Sequence, residues 1–283
     1  METGAGAETA GQETGAGAET GAEAASAGRL RRASSFGTAA AQYAQYRPRY
    51  AEAAIRWCLA PVSGAQPVRA ADLGAGTGIL SGALARLGAD VIAVEPDQEM
   101  LAELRRQLPA VRAVEGSAEA LPLPDHSVDA VLCGQSLHWF DLDRALPEIA
   151  RVLTPGGVLA GLWNVDDDRV GWVAGLAAIT KRRTTLSRWR AIPPADGEQG
   201  ALRAGSRWFT PMEEGEFGHG QLRSVDSLVA AMATYSGILV MDDGERARTL
   251  AAIRDFLDRQ PETSAGEFTL PLLTVALRAV RRP

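Results

Sequence analysis

Cysteine is nearly missing from this chain. Only Cys58 and Cys133 occur in 283 residues, far apart and without CxxC or Cys/His spacing. That argues against a disulfide framework or a zinc site and makes a reducing cytoplasm the expected setting. Asp166, Asp167 and Asp168 are consecutive but follow no calcium-loop or helical ligand spacing. They read as a charged loop, and no metal is expected. No apolar run approaches the roughly 18 residues needed to span a bilayer, so no membrane association is expected. The first residues, METGAGAETA, have neither a basic region nor an apolar core, so no signal peptide is expected. An excess of positive charge is also lacking. The formal net charge is -6, which disfavours nucleic acid as a partner.

Residues 1–28 hold no large apolar side chain except Met1, and GAGAET occurs in them twice. Such a segment cannot bury enough surface to offset its ordering entropy and is expected to be a disordered tail. RLRRASSFG follows, with Ser34 and Ser35 in a basic context that reads as a solvated approach to the domain. Residues 29–67 are expected to form a helical lid, broken near Pro48 because the residue before a proline avoids helical backbone.

A regular alternation begins at residue 68. VRAADL, DVIAVE, VRAVEG, SVDAVLCG and VLAGLW are short apolar strands, with TPGG as a turn before the last. Helical patterns stand after the first, second and fourth; Asp97 is a plausible N-cap and Pro147 falls inside the last helix. The rhythm predicts an α/β fold with a doubly wound, mostly parallel seven-stranded sheet, Rossmann-like. Its core spans 68–164. Residues 165–240 are expected to be an inserted substrate cap. Residues 241–283 complete the core with an amphipathic helix over 242–260 and two strand-like stretches in 267–282.

ADLGAGTG falls between the first strand and the first helix, where an open parallel sheet binds ligands. Gly74, Gly76 and Gly78 bare the backbone there. The spacing is GxGxG, not the dinucleotide GxGxxG. Asp72 can hold an ammonium group, and Glu95, ending the second strand, can accept from both hydroxyls of a ribose. An adenosine ribose, an amino group and a carboxylate without a diphosphate describe S-adenosylmethionine better than NAD.

DLGAGTG, VEPDQEML, GSAEALPLPDHSVDAVLCGQSLHWF and RVLTPGGVL together resemble the class I S-adenosylmethionine-dependent methyltransferases over about residues 68–163. FGTAAAQYAQYRPRY, QSLHWFD and FTLPLLTVALRAVRR are similar to the subgroup containing trans-aconitate-type methyltransferases. By position, the resemblance implies that Asp72, Gly74, Ala75, Gly76 and Gly78 line the methionine end of the cofactor. It places Glu95 on the ribose with Pro96 beside it, Met100 against the adenine, and the backbone of Ala118 on the adenine edge. Ser117 stands where the family often has an aspartate, and its hydroxyl can still accept a hydrogen bond. Gln135 is placed near the sulfonium. Tyr43 and Arg47 are placed over the cofactor, Arg47 pairing with its carboxylate.

The implied activity is methyl transfer to a small molecule, with a carboxylate or hydroxyl oxygen favoured. His138, after the fourth strand, is the candidate base for a protonated acceptor. His126 reads as solvated and His219 as a weaker substrate-side candidate. KRRTTLSRWR (181–190) is either a solvated face or an electropositive wall for an anionic substrate. Two alternatives stand beside this reading: a cofactor-binding fold without catalysis, and a nicotinamide-dependent oxidoreductase. Oligomeric state is not encoded in any of these features.

Overall fold

The computed structural model describes residues 47–64, 67–180, 202, 205–239 and 241–283. The expected tail, Tyr43, the serine pair and the basic run 181–190 lie outside them. The first described element is helix α1 (Glu52–Leu59), followed by a short 3-10 turn. Pro48 precedes it within a non-helical stretch running to Ala51.

The alternation then unfolds as the apolar runs predict: β1 (Arg69–Leu73), α2 (Ile79–Arg86), β2 (Asp90–Glu95), α3 (Gln98–Gln107), β3 (Arg112–Glu115), β4 (Val128–Gly134), α4 (Leu142–Val152) and β5 (Leu153–Asp166). Asp97 caps α3, its carboxylate accepting from the N–H groups of Glu99 and Met100. After β5 come α5 (Gly171–Thr180), β6 (Glu213–Ser224), α6 (Val225–Ala233), the single turn α7 (Ser236–Leu239), α8 (Asp243–Leu257) and β7 (Glu267–Val280). No helix among the described residues is long and apolar enough to cross a membrane.

The seven strands form one sheet in the order β3-β2-β1-β4-β5-β7-β6. Pairs from β3 through β5 are parallel; β7 runs antiparallel to both its neighbours. Strand side chains alternate between two covered faces. Ala71, Leu73, Val94, Val131 and Leu159 meet Leu146 and Ile149 of α4 on one face. Ala70, Val91, Leu132 and Ala160 meet Ile55 of α1 and Leu84 of α2 on the other. Beyond the sheet core, Trp172, Leu228, Ile253 and Phe268 gather α5, α6, α8 and β7 into a further cluster.

Three expectations are corrected. The C-terminal segment supplies one long strand, β7, and not two. Its outer partner β6 comes from residues assigned to the cap. EEGEFGHGQLRS has few apolar side chains, yet it pairs with β7 along its whole length. An edge strand needs no second buried face, and its glutamates discourage further strand addition. TPGG is not a free turn either: residues 154–157 lie within β5, and the sheet absorbs them as a register shift between Val128 and Ala130, with Gly156 at φ 79. Pro147 lies inside α4 as its place in the helical pattern predicts, and the helix keeps its span through the proline.

Candidate active site

Strand order reverses direction between β1 and β4, and the carboxyl ends of β3, β2, β1 and β4 lie side by side there. Neighbouring strands are about 4.8 Å apart, so this edge offers a shelf roughly 15 Å long. Along it stand, in order, Ser117 and Ala118 after β3, Glu95 and Pro96 at the end of β2, Asp72 and the glycine loop after β1, and Gln135 after β4. The candidates from four separated segments are thus brought together in one row. A row of that length suits an extended nucleoside joined to an amino acid.

The glycine loop is held from below and from the side. The N–H groups of Gly74 and Ala75 both donate to the carbonyl of Val94, at 2.9 and 3.2 Å. Gly76 donates its N–H to Glu95 Oε2 at 2.8 Å, and Asp97 donates its N–H to Glu95 Oε1 at 2.9 Å. Glu95 therefore splints the loop as well as presenting a carboxylate on the shelf. Burial raises its carboxyl above the usual range, against these two donors.

The three glycines are bare for different reasons. All have positive φ, 63 at Gly74, 56 at Gly76 and 88 at Gly78. A Cβ on Gly74 would come within 2.7 Å of Ser136 Cβ; one on Gly78 would strike Leu104 of α3 at 2.9 Å and Leu108, just past its end, at 2.8 Å. A Cβ on Gly76 would meet only Met100 Sδ, at 3.8 Å. Gly74 and Gly78 are thus bare because protein packs against them, and only Gly76 is left with room. Gly78→Ala combines a left-handed backbone with a clash in the α2–α3 contact. We expect a loss of about 2–4 kcal/mol, read as a drop in melting temperature of roughly 5–15 °C. An unchanged melting temperature would show that α3 yields without cost.

Asp72 is almost completely buried. The Ser81 hydroxyl, on the first turn of α2, donates to Oδ2 at 2.6 Å. Oδ1 has no partner, and neither has the buried Thr77 Oγ1 in the same loop. Burial pushes the Asp72 carboxyl up to about 7, partly offset by Ser81. A desolvated acid with an unpartnered oxygen favours a cation beside it, a chemistry compatible with the ammonium end of S-adenosylmethionine. Ser81 and Thr77 are absent from the sequence-derived set. Ser81 is a polar residue on a helical turn that the apolar stripe passes by, and only the fold shows that it is fully buried.

The segment after β4 closes the far side. Gln135 has φ 61 and donates from Nε2 to the Asn164 carbonyl at 3.2 Å. Ser136 Oγ donates to the Leu73 carbonyl at 2.6 Å. His138 lies in the 3-10 turn Leu137–Trp139. Its Nδ1 accepts from the buried Trp163 indole N–H at 3.4 Å, and its ring packs on Trp139.

Other expected positions fall elsewhere. Arg47 donates to the Thr234 carbonyl at 3.1 Å and lies over the Tyr235 ring at 4.8 Å, so pairing with a bound carboxylate requires it to leave them. His126 Nδ1 bonds the Leu153 carbonyl at 2.9 Å. His219 Nε2 meets Thr274 Oγ1 at 3.1 Å, and burial lowers its pKa. Cys58 and Cys133 are fully buried and their thiols are pushed up, Cys58 to about 12. Neither is a nucleophile at neutral pH. Among the described residues no cluster suits a metal ion.

The chain is similar to known proteins over most of its length. A methyltransferase domain family matches residues 71–161. The chain is 39% identical over 246 residues to an uncharacterized methyltransferase of Mycobacterium tuberculosis, covering 87% of this chain and 95% of that protein. A malonyl-[acyl-carrier protein] O-methyltransferase of Methylococcus capsulatus is 41% identical over 121 residues, 39% of this chain and 44% of that one. A solved structure of a proposed type II methyltransferase from Anaeromyxobacter dehalogenans matches with TM-score 0.59 and 29% identity, covering 83% of this chain and 98% of that one.

Proposed function

The chain belongs to the class I S-adenosylmethionine-dependent methyltransferases, and from that premise we propose that it methylates an oxygen, carboxylate or hydroxyl, of a small-molecule acceptor. S-adenosylmethionine supplies, when bound, a methyl group already activated by its sulfonium. The protein's task is to hold and align the two reactants. The observation that carries the cofactor reading is the unpartnered Oδ1 of buried Asp72, beside the Glu95-splinted loop.

In this reading Asp72 takes the ammonium group, with Gly74, Ala75, Gly76 and Gly78 lining that end. Each Glu95 oxygen keeps a lone pair for a ribose hydroxyl, and Pro96 is its exposed neighbour. Met100, with its sulfur beside Gly76, lines the adenine together with Ser117 and Ala118. Gln135 faces the sulfonium. Arg47, and Tyr43 outside the described residues, close over the cofactor.

His138 faces the acceptor. Because Nδ1 accepts from the Trp163 indole, the neutral ring carries its proton on Nε2. It then orients an acceptor by donating a hydrogen bond. It removes a proton only by giving up the indole. A carboxylate acceptor needs no base, which suits this tautomer. The basic run 181–190 and the likeness to an O-methyltransferase that acts on a malonyl group support an anionic acceptor.

The test is a panel of small carboxylic acids and phenols with methyl-labelled cofactor. A base-labile product marks a methyl ester and a stable one an ether; label appearing only on nitrogen or carbon overturns the oxygen reading. For a carboxylate acceptor, His138→Gln is expected to lower kcat by less than about tenfold. A loss of about 10²–10⁴ would instead assign His138 as a general base.

A further inference from the structure

We propose that Tyr50 forms part of the cofactor site, its hydroxyl bonding the carboxylate of the bound amino-acid end, and that Asn164 and Thr274 are the positioning residues that hold it there. The inference rests on the cofactor reading above and adds residues to which neither the motifs nor the family resemblance gives a role.

Tyr50 lies in the non-helical stretch before α1. A Cβ added to Gly134 would fall 2.6 Å from its hydroxyl and 3.2 Å from Leu80 Cδ2. Gly134 is therefore bare to admit the phenol. Its place on the sheet fixes what the phenol faces. Asp72 pairs with Leu132 across β1 and β4, and Gly134 lies two residues beyond Leu132, on the same face. The Tyr50 hydroxyl thus sits on the Asp72 side of the sheet, one step further out along the carboxyl edge, at the point where strand order reverses. With an ammonium on Asp72, the carboxylate of the same amino-acid end needs a donor close by, and a phenol supplies one.

The backbone on either side of Tyr50 is pinned. Asn164 donates from Nδ2 to the carbonyls of Pro48 and Arg49, at 3.0 and 3.1 Å. The Ala51 N–H donates to Thr274 Oγ1 at 2.9 Å. Both amide hydrogens of Asn164 are used, so its oxygen must accept, and Thr274 Oγ1 donates to it at 2.6 Å. That consumes the single hydroxyl proton. The contact from His219 Nε2 to Thr274 Oγ1 is then a donation by the imidazole. The network assigns a proton to every bond, and Thr274 is wholly buried. The Asn164 carbonyl also accepts from Gln135, so one residue ties the Tyr50 segment to the turn after β4. Preorganisation of this kind strengthens binding by removing an ordering cost.

Calorimetric titration separates the possibilities. Tyr50→Phe is expected to raise the Kd for S-adenosylhomocysteine roughly tenfold to a hundredfold, the range for one hydrogen bond to a charged group. Its Kd for 5′-methylthioadenosine, which lacks the amino-acid end, is expected to stay within about twofold of wild type. Asn164→Ala is expected to weaken S-adenosylhomocysteine in the wild-type background and to add less than about twofold in the Tyr50→Phe background, because it acts through Tyr50. Unchanged S-adenosylhomocysteine binding in Tyr50→Phe overturns the proposal, as does equal weakening of both ligands. If wild type binds neither ligand, the cofactor assignment itself falls, a result distinct from either.

Discussion

Glu95→Ala is expected to weaken S-adenosylhomocysteine binding by at least a hundredfold, and Glu95→Gln by nearly as much. A residue that touched only the ribose would lose less on amidation, since an amide still accepts on one side. Glu95 does more. Its two oxygens hold the N–H groups of Gly76 and Asp97, so they are acceptors on both sides. In the glutamine variant one side must present its own N–H to a backbone N–H, and one splint is lost. Each bond to a charged group contributes about 1.5–3 kcal/mol. Losing one or two of them from the loop, together with the ribose contact, corresponds to a factor of about 10²–10³. Calorimetry on both variants, with NAD as a control ligand and circular dichroism to verify folding, decides the matter. Binding of Glu95→Gln within about tenfold of wild type would confine Glu95 to a ribose contact and remove the splint from the account.

That double duty marks how far the amino-acid order is legible. The shelf residues belong to short local signals: an acid before a glycine cluster, an acid at a strand end, an N-cap at Asp97. Each is encoded within a few neighbours, and the fold puts them side by side. The roles of Gly74 and Gly78 depend on Ser136 of a later turn and on leucines of the next helix. Periodicity cannot express such contacts. β6 was hidden for a related reason: an edge strand is held by backbone pairing with β7, which leaves its side chains free to look like loop. The clamp on Tyr50 is the extreme case. Asn164 and Thr274 are 110 positions apart, Thr274 and Ala51 are 223, and nothing near any of them signals the others. A lone asparagine after an apolar strand reads as the end of that strand, which it also is.

With Asp72 as the proposed partner of the ammonium group, cofactor binding is expected to depend on pH, and the sign follows from its burial. Its carboxyl titrates at about 7 in the folded chain against 3.8 ordinarily. The folded protein therefore keeps a proton that the unfolded chain gives up, and the group favours folding at low pH. That contribution is lost as pH rises through about 7, where the ionised form must sit buried with Oδ1 unpartnered. Binding an ammonium requires the ionised form. Below pH 7 the proton must leave first, so the Kd for S-adenosylhomocysteine is expected to fall about tenfold per unit as pH rises from 5.5 to 7, then to level off. Titrations in buffers of different ionisation enthalpy are expected to count close to one proton released per ligand near pH 6 and almost none above pH 8. Asp72→Asn should bind more weakly at pH 8, by about tenfold to a hundredfold, with the slope below 7 abolished. The same variant should lose the wild-type fall in melting temperature of the unliganded protein between pH 6 and 8. A Kd flat across this range in wild type, or an equal slope in Asp72→Asn, would assign the counter-charge to another group. On the proposed reading, the buried acid strains the unliganded protein and its ligand relieves the strain, which accounts for an aspartate in so apolar a place on the sheet.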